Sequence, residues 1–464
     1  MSEPAAAPAD PGSVIRSKSY RILLVLAALI GVLVSFASWC FLELVHRIQH
    51  EVYKSLPSGL GLHPVPWWWP LPVLAVAGVL AAVAILRLPG RGGHIPYQGI
   101  KASPAQPIEL PGILLAALAT LGLGLVLGPE APLIALGTGL AILAVKLGRK
   151  DTPSQLLSVL AAAASFAALA TIFGSPVIGA VILIEAAGLG GNMLPLILLP
   201  GLMSAGIGSV IFIGMGHWTG LSSSAYALTP FSLPAFSTLT AAEFGWAIVL
   251  AFAAALVTFT IIDIARISAH VAARQPWLLL PACALTVGGL AIGFAQITGQ
   301  PADVVLFSGQ DAFSSLVGQA PALSLSTLAF LLLFKGLAWS ISLGNFRGGP
   351  TFPALFIGAA GGLLAAHLPG FSETPAVAVL MAAMAVSILK LPLSATVIAV
   401  LLTSKAGIAT APLIIVSVVV AYLTIQALTT ARSAATRAAA DAGPQPAAAR
   451  SPTSPASQPS DSQA

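Results

Sequence analysis

The chain has 464 residues, 57% of them hydrophobic and 8% charged, with a formal net charge of +5. Soluble domains carry about 25% charged residues, so a soluble globular domain is excluded. The basic excess is scattered over short loops with no aromatic-interleaved patch, which gives nucleic-acid binding no support.

Taken in chain order, residues 1–20 read as a disordered cytoplasmic tail, because Met1–Gly12 is rich in Ala and Pro and poor in large apolar residues. Ile22–Leu42 then runs uncharged for 21 residues, enough to span a bilayer core. Arg16, Lys18 and Arg21 flank it, favouring a cytoplasmic N-terminus. The run is long for a signal-peptide core and lacks a small-residue cleavage site, so it reads as a retained helix. Comparable runs follow at Trp67–Leu86, Pro111–Gly128, Pro153–Ile184, Met193–Met215, Ala247–Ile262, Trp277–Thr298 and the shorter Ala376–Leu389. The fold class is therefore an all-α, polytopic membrane protein. Trp67-Trp68-Trp69 marks a membrane interface. Cys40 and Cys283 sit in separate apolar runs and form no disulfide framework. Residues 221–242 form a polar connection between a first membrane repeat (21–220) and a second (243–430), and the Ala/Pro/Ser-rich segment 431–464 reads as a disordered tail.

The halves look duplicated. "GPEAPLIALG" (Gly128–Gly137) and "GPTFPALFIG" (Gly349–Gly358) share the frame G-P-x-x-P-x-x-x-x-G at an offset of 221 residues. "SPVIGAVILIEA" (Ser175–Ala186) and "LPLSATVIAVLL" (Leu391–Leu402) align Pro176 with Pro392 at an offset of 216. Duplicated halves with Gly/Pro-interrupted apolar segments at matching places are a signature of inverted-repeat transporters, whose binding site lies near the midplane at the ends of broken helices. Gly and Pro cluster at Leu88–Pro96, Leu127–Pro132 and Gly344–Pro353. We read these as three helices that begin inside the membrane with their N-termini pointing at a common place.

A helix N-terminus presents unpaired N–H groups and about half a positive charge, so several together hold an anion without a fully charged Lys or Arg. Glu130 stands between Pro129 and Pro132 in an otherwise uncharged run. A charge at the bilayer centre costs roughly 2.5–3.5 kcal/mol on translocon scales, so this carboxylate calls for a purpose. It is itself an anion at a helix entrance and can occupy the place of a permeating one, as a gate. The plainer alternative is a carboxylate that caps a helix start.

These clusters resemble the CLC family of chloride channels and chloride/proton antiporters, whose patterns are G-S-G-I-P, G-[KR]-E-G-P and G-x-F-x-P. Here they read Gly92-Gly93-His94-Ile95-Pro96, Gly128-Pro129-Glu130-Ala131-Pro132 and Gly349-Pro350-Thr351-Phe352-Pro353, and the likeness extends over roughly Arg21 to Leu428. The resemblance implies an inverted-repeat bundle, a homodimer with one anion pathway per subunit and no cofactor. It implies Glu130 as gate, with Gly93, His94, Ile95, Gly128, Ala131, Gly349, Thr351 and Phe352 around the anion. Against the family pattern, Gly93 replaces a chloride-binding serine, Pro129 replaces a basic residue, and Pro350 offers no N–H. His94 beside Gly93 either lends a donor or is a loop histidine satisfied by backbone. No match is found for the family's pore-lining tyrosine, since Tyr422 falls about one helix too early.

Antiporters of the family usually carry an internal glutamate for the proton, directly after another acid. Glu185 matches the first acid, but the proton-transfer position is Ala186, and a methyl group carries no proton. Glu185 and Ala186 thus mark the proton path if there is one, and the pattern favours a channel or weak coupling. Outside the motifs, Asp263 and Arg266 at i,i+3 are expected to pair on one helix face. Lys335 either lines the anion path or binds a helix C-terminus.

The function expected is transmembrane passage of chloride or a similar small anion in a multi-pass bacterial plasma-membrane protein, with protons as a possible second substrate. The competing readings are a chloride/proton antiporter, an exporter of another halide such as fluoride, and a non-transporting scaffold. A membrane-embedded hydrolase needs a nucleophile facing a base, or paired acids. No G-x-S-x-G or H-E-x-x-H is present, so the chain does not read as an enzyme.

Overall fold

The structure is a computed structural model and describes residues 11–62, 64–99, 104–148, 153–188, 194–220, 228–318 and 323–441. In a bilayer core the backbone must satisfy its own N–H and C=O groups, and the helix does so within one segment. Among the described residues there are fourteen helices of eight residues or more. The first seven are α1 (Lys18–His50), α2 (Pro70–Arg87), α3 (Leu110–Ala117), α4 (Glu130–Gly148), α5 (Ser154–Phe173), α6 (Pro176–Ala186) and α7 (Leu194–Thr219). The second seven are α8 (Ala241–Ala272), α9 (Pro276–Thr298), α10 (Leu325–Asn345), α11 (Thr351–Ala365), α12 (Glu373–Leu389), α13 (Pro392–Leu402) and α14 (Ala411–Asp441). Nine described helices are long and apolar enough to cross a membrane.

The helices repeat with a step of seven. In the first half α1 packs on α5 and α7, α4 on α5, and α6 on both α5 and α7; in the second, α8 packs on α12 and α14, α11 on α12, and α13 on both α12 and α14. The halves meet through corresponding elements, α2 with α9 and α6 with α13. The duplicated motifs seen in the sequence are thus two copies of one seven-helix unit. At the centre lie α5 and α12, sheathed by the others; every residue of α12 from Thr374 to Leu389 is buried. Small residues make this possible. Gly358 and Gly362 of α11 stand where any side chain would strike the backbone of Met381 and Val377 in α12. The outer faces keep large apolar side chains exposed, among them Val25, Leu29, Val210 and Ile267, as a lipid-facing surface requires.

Four expectations change. The first Gly/Pro cluster starts no helix: Gly90, Arg91, Gly92 and Gly93 all take positive φ (76°, 48°, 71° and 97°), followed only by a 3-10 turn at Pro96–Gln98. Four left-handed residues in a row cannot begin a right-handed helix. Residues 100–103 lie outside the described residues, and the next helix is α3. Asp263 and Arg266 do not pair with each other. Asp263 makes an ion pair with Arg432 of α14, while the Arg266 guanidinium lies 6.0 Å from the Tyr97 ring centre.

At the C-terminal end, α14 continues to Asp441, past the expected limit of 430, and Arg432 also stacks 4.7 Å from the Phe259 ring centre; 442–464 lie outside the described residues. At the N-terminal end, Pro11–Arg16 is helical and Ser17 caps α1 by accepting from the Tyr20 N–H at 3.1 Å; residues 1–10 are outside the described residues. In the connection, 221–227 lie outside the described residues, 228–239 is non-helical, and Thr240 caps α8 in a capping box with Glu243. Lys335 is fully buried, and its Nζ donates to the carbonyls of Val304, Val305, Leu306 and Phe307 at 2.9–3.4 Å. It therefore closes an irregular turn, which answers the helix-end alternative raised by its sequence context.

Candidate functional site

The two G-P-x-x-P motifs meet face to face. Gly128 N–H donates to the Gly349 carbonyl at 2.7 Å, and Gly349 N–H donates back to the Gly128 carbonyl at 2.5 Å. This antiparallel pair joins residues that correspond under the 221-residue offset, as a twofold relation between the halves requires. It also brings the starts of α4 and α11 together in the protein interior.

Glu130, the first residue of α4, is fully buried and reaches across to the start of α11. Its Oε1 accepts from Thr351 N–H at 2.9 Å and Phe352 N–H at 3.2 Å. These are two of the donors that a helix start leaves unpaired, at the positive end of the helix dipole. Donors of this kind bind anionic groups, and here the Glu130 carboxylate takes two of them. Glycine is required beneath it. A Cβ on Gly349 or Gly128 would lie within bonding range of Glu130 Oε2. Two polar atoms here, Glu130 Oε2 and Thr351 Oγ1, are buried without a hydrogen-bond partner among the described residues. Buried polar atoms are rarely left so, and such orphans mark capacity for a further ligand.

Open space flanks this residue on both sides in sequence. Pro129 lines a small cavity of about 40 Å³ together with His46, Gln49, Ser308, Gln310 and Asp311. Those five also line a larger one of about 740 Å³ that reaches Tyr53, Trp67 and Pro70. On the other side, Ala131 lines a cavity of about 290 Å³ with Gly93, His94, Ile113, Arg347 and Gly348. Helix α2 connects the two regions, since Pro70 at its start lines the first and Gly90, just past its end, lines the second. Its 18 residues rise about 27 Å, so the cavities open toward opposite ends of the bundle.

The structure brings most of the sequence candidates together. Gly128, Glu130, Gly349, Thr351 and Phe352 form the central contact, and Gly93, His94 and Ala131 line the adjoining 290 Å³ cavity. His94 Nε2 lies 2.7 Å from the Gly99 carbonyl, so that nitrogen carries hydrogen and donates to it. Gly93, at φ 97°, has a backbone that disfavours the serine of the family pattern. Ile95 is half-buried in extended backbone, lines none of the three cavities above and has no side-chain donor.

Glu185 stands apart from this centre. Its carboxylate accepts from Leu393 N–H at 2.9 Å, Ser394 N–H at 2.7 Å and Ser394 Oγ–H at 2.6 Å, all at the start of α13. Each first-half carboxylate in the duplicated segments therefore caps a second-half helix, Glu130 on α11 and Glu185 on α13. Ala186 ends α6, half-buried.

Sequence reasoning missed Arg347. It precedes the Gly348-Gly349 pair in a Gly/Pro-rich stretch between two apolar helices, and a lone arginine in that setting was the available signal. Its side chain is 9% exposed and lines the 290 Å³ cavity.

Comparison with known proteins agrees with this architecture. A family profile described as "Voltage gated chloride channel" matches residues 98–426. Curated relatives include the putative ion-transport protein YfeO of Salmonella choleraesuis, 29% identical over 360 residues covering 75% of this chain and 81% of the relative. The same protein of Salmonella paratyphi A is 28% identical over the same coverage. Among solved structures, a slow cyanobacterial Cl−/H+ antiporter aligns with TM-score 0.71 at 20% identity, covering 88% of this chain and 94% of the other. A CLC-type fluoride/proton antiporter aligns with TM-score 0.65 at 18% identity, covering 87% and 95%. At these identities the structural likeness establishes the fold. With its two seven-helix halves, its paired G-P-x-x-P motifs and a profile match over most of its length, the chain belongs to the voltage-gated chloride channel (CLC) family.

Proposed function

We propose that the chain passes chloride or a similar small anion between its two cavities, and that the Glu130 side chain gates the passage. The observation that carries this reading is the pair of bonds from Thr351 N–H and Phe352 N–H to the Glu130 carboxylate. A negatively charged group held by backbone donors at a helix start is exchangeable for a free anion with the same charge and acceptor chemistry. When Glu130 is protonated or swings away, the donors become available and the cavities on either side connect. Hydrated cations are repelled by the positive helix ends, while partial charges let the anion leave again.

Channel-like or weakly coupled passage fits the methyl group of Ala186 at the position where antiporters of the family carry a proton acceptor. The adjacent Glu185 is engaged at the α13 start. A coupled exchanger of chloride or fluoride for protons is the second reading, favoured by the antiporters that share the fold. Arg16, Lys18 and Arg21 put the start of α1, and with it the 290 Å³ cavity, toward the cytoplasm. A homodimer in the bacterial plasma membrane completes the proposal.

The test is the reversal potential of purified protein in planar bilayers under a fixed chloride gradient, with and without a pH gradient. A potential at the chloride Nernst value, unmoved by pH, supports the channel reading. One displaced by the proton gradient, and no longer displaced in Glu130→Ala, supports the exchanger. Absence of anion flux from wild type and Glu130→Ala, in bilayers and in liposomes, contradicts both.

A further inference from the structure

Only 8% of this chain is charged, so polar and ionisable side chains that gather at one place call for an explanation. The 740 Å³ cavity gathers two of the seven histidines, His46 and His50, with Lys54, Asp303 and Asp311. The exchange of Glu130 for an anion at the Thr351 and Phe352 N–H groups needs none of them.

His46 and His50 are four residues apart at the end of α1, where the backbone is helical up to His50, at φ −62° and ψ −49°. That spacing sets two side chains on one helix face with Cβ atoms about 5–6 Å apart. Both line the same cavity, so both face the same space. Two imidazoles at i,i+4 are the arrangement by which a single helix grips a zinc ion. Directly after His50 the helix widens into a π turn, Glu51–Ser55, a form that is rare and recurs at functional sites. The wider turn brings Ser55 back over His50, with Ser55 Oγ 3.3 Å from His50 Nδ1. In the tautomer that donates Nδ1–H to that oxygen, the ring is oriented and the lone pair stands on Nε2, as at metal-bound histidines.

The charges around the pair favour a cation. Asp303 and Asp311 outnumber Lys54 on the cavity wall, and Asp311 lies within electrostatic reach of His46. Among the described residues no three His, Cys, Asp or Glu side chains already converge as a ready-made metal cage. Two protein ligands therefore leave coordination positions for water, which a cavity of this size admits. Hard cations such as magnesium prefer oxygen ligands, whereas imidazole suits zinc and its transition-metal neighbours.

We propose that His46 and His50 form an open two-histidine site for a divalent transition-metal ion such as zinc, with Asp311 as the neighbouring carboxylate and water completing the coordination. His46 and Asp311 also line the 40 Å³ cavity against Pro129. A bound ion thus adds positive charge beside the segment that carries Glu130, at the end of the bundle opposite the 290 Å³ cavity. The site stands independently of anion passage, because its ligands are not those that hold the Glu130 carboxylate.

The experiment is calorimetric titration of zinc sulfate, and separately of magnesium sulfate, into the purified full-length protein carrying no polyhistidine tag, with thermal melting alongside. One zinc per chain is expected, with His46→Gln and His50→Gln each weakening its binding at least tenfold and Asp311→Asn weakening it less. Magnesium is expected to bind at least tenfold more weakly than zinc. Both histidines are exposed, so glutamine at either place is expected to leave the fold intact. Unchanged zinc affinity in either folded histidine variant overturns the proposal, as does a wild type that binds no zinc or binds magnesium as tightly. Should the variants not fold, a wild-type melting temperature that zinc does not raise overturns it. Absence of anion flux contradicts the gate reading alone, since zinc binding is measured without flux.

Discussion

On the gating proposed above, Gly349→Ala displaces the Glu130 carboxylate without replacing that residue. The added Cβ falls on Glu130 Oε2 and Cδ, and its three nearest neighbours all belong to that side chain. Gly349 has no positive φ, so alanine is tolerated by the backbone. Only the flexible carboxylate has to yield, and it leaves the Thr351 and Phe352 N–H groups. Hydrogen bonds to a charged group are worth about 1.5–3 kcal/mol each, so the docked position loses about 3 kcal/mol or more, before hydration of the freed carboxylate returns a part. At about 1.4 kcal/mol per factor of ten, its occupancy falls on the order of a hundredfold. The assay is chloride efflux from liposomes for wild type, Gly349→Ala, Glu130→Ala and the double variant. Gly349→Ala is expected to raise flux to nearly that of Glu130→Ala, and the double variant to add nothing. Wild-type flux in Gly349→Ala, or effects that simply add, would refute the reasoning.

Glu185→Ala removes three bonds from the start of α13. Loss of a helix cap costs about 0.5–2 kcal/mol, so the melting temperature in detergent falls modestly while the response of the reversal potential to pH is unchanged. Lys335→Met leaves four carbonyls without their donor. Each buried unsatisfied group costs about 1–3 kcal/mol, so folded yield and melting temperature drop sharply, well beyond the loss in Glu185→Ala. A double-mutant cycle between Asp263→Asn and Arg432→Gln, whose side chains are 26% and 28% exposed, yields a coupling of about 0.2–1 kcal/mol in thermal unfolding. A cycle with no coupling would argue against the contact that anchors α14.

Much of the centre was legible because a charge in an apolar run has to be answered by something. Glu130 stands out on that ground, and the 221-residue offset of the two motifs aligns Gly128 with Gly349, the glycines that the fold then pairs. What stayed hidden depended on tertiary placement. The i,i+3 rule pairs Asp263 with Arg266, but it has no access to Arg432, which arrives from a helix that begins almost 150 residues later in the chain. Glycines at 90, 92 and 93 permit a helix start and a left-handed turn equally, and only the fold selects the turn, which carries Arg91 with it. Glu185 marks, with Ala186, only a possible proton path by its place in the motif, whereas its three donors lie more than 200 residues away in sequence. Arg347 was passed over because the chemistry of a helix N-terminus needs no full charge, and its place on the cavity wall follows from packing against Gly92.

The central claim is that the Glu130 carboxylate and a free anion compete for the start of α11. Crystals of wild type and Glu130→Ala grown in bromide, with data collected at the bromine absorption edge, test it most directly. The account predicts an anomalous peak within hydrogen-bond distance of Thr351 N and Phe352 N in Glu130→Ala and none at that position in wild type. A peak there in both proteins, or in neither, would contradict it.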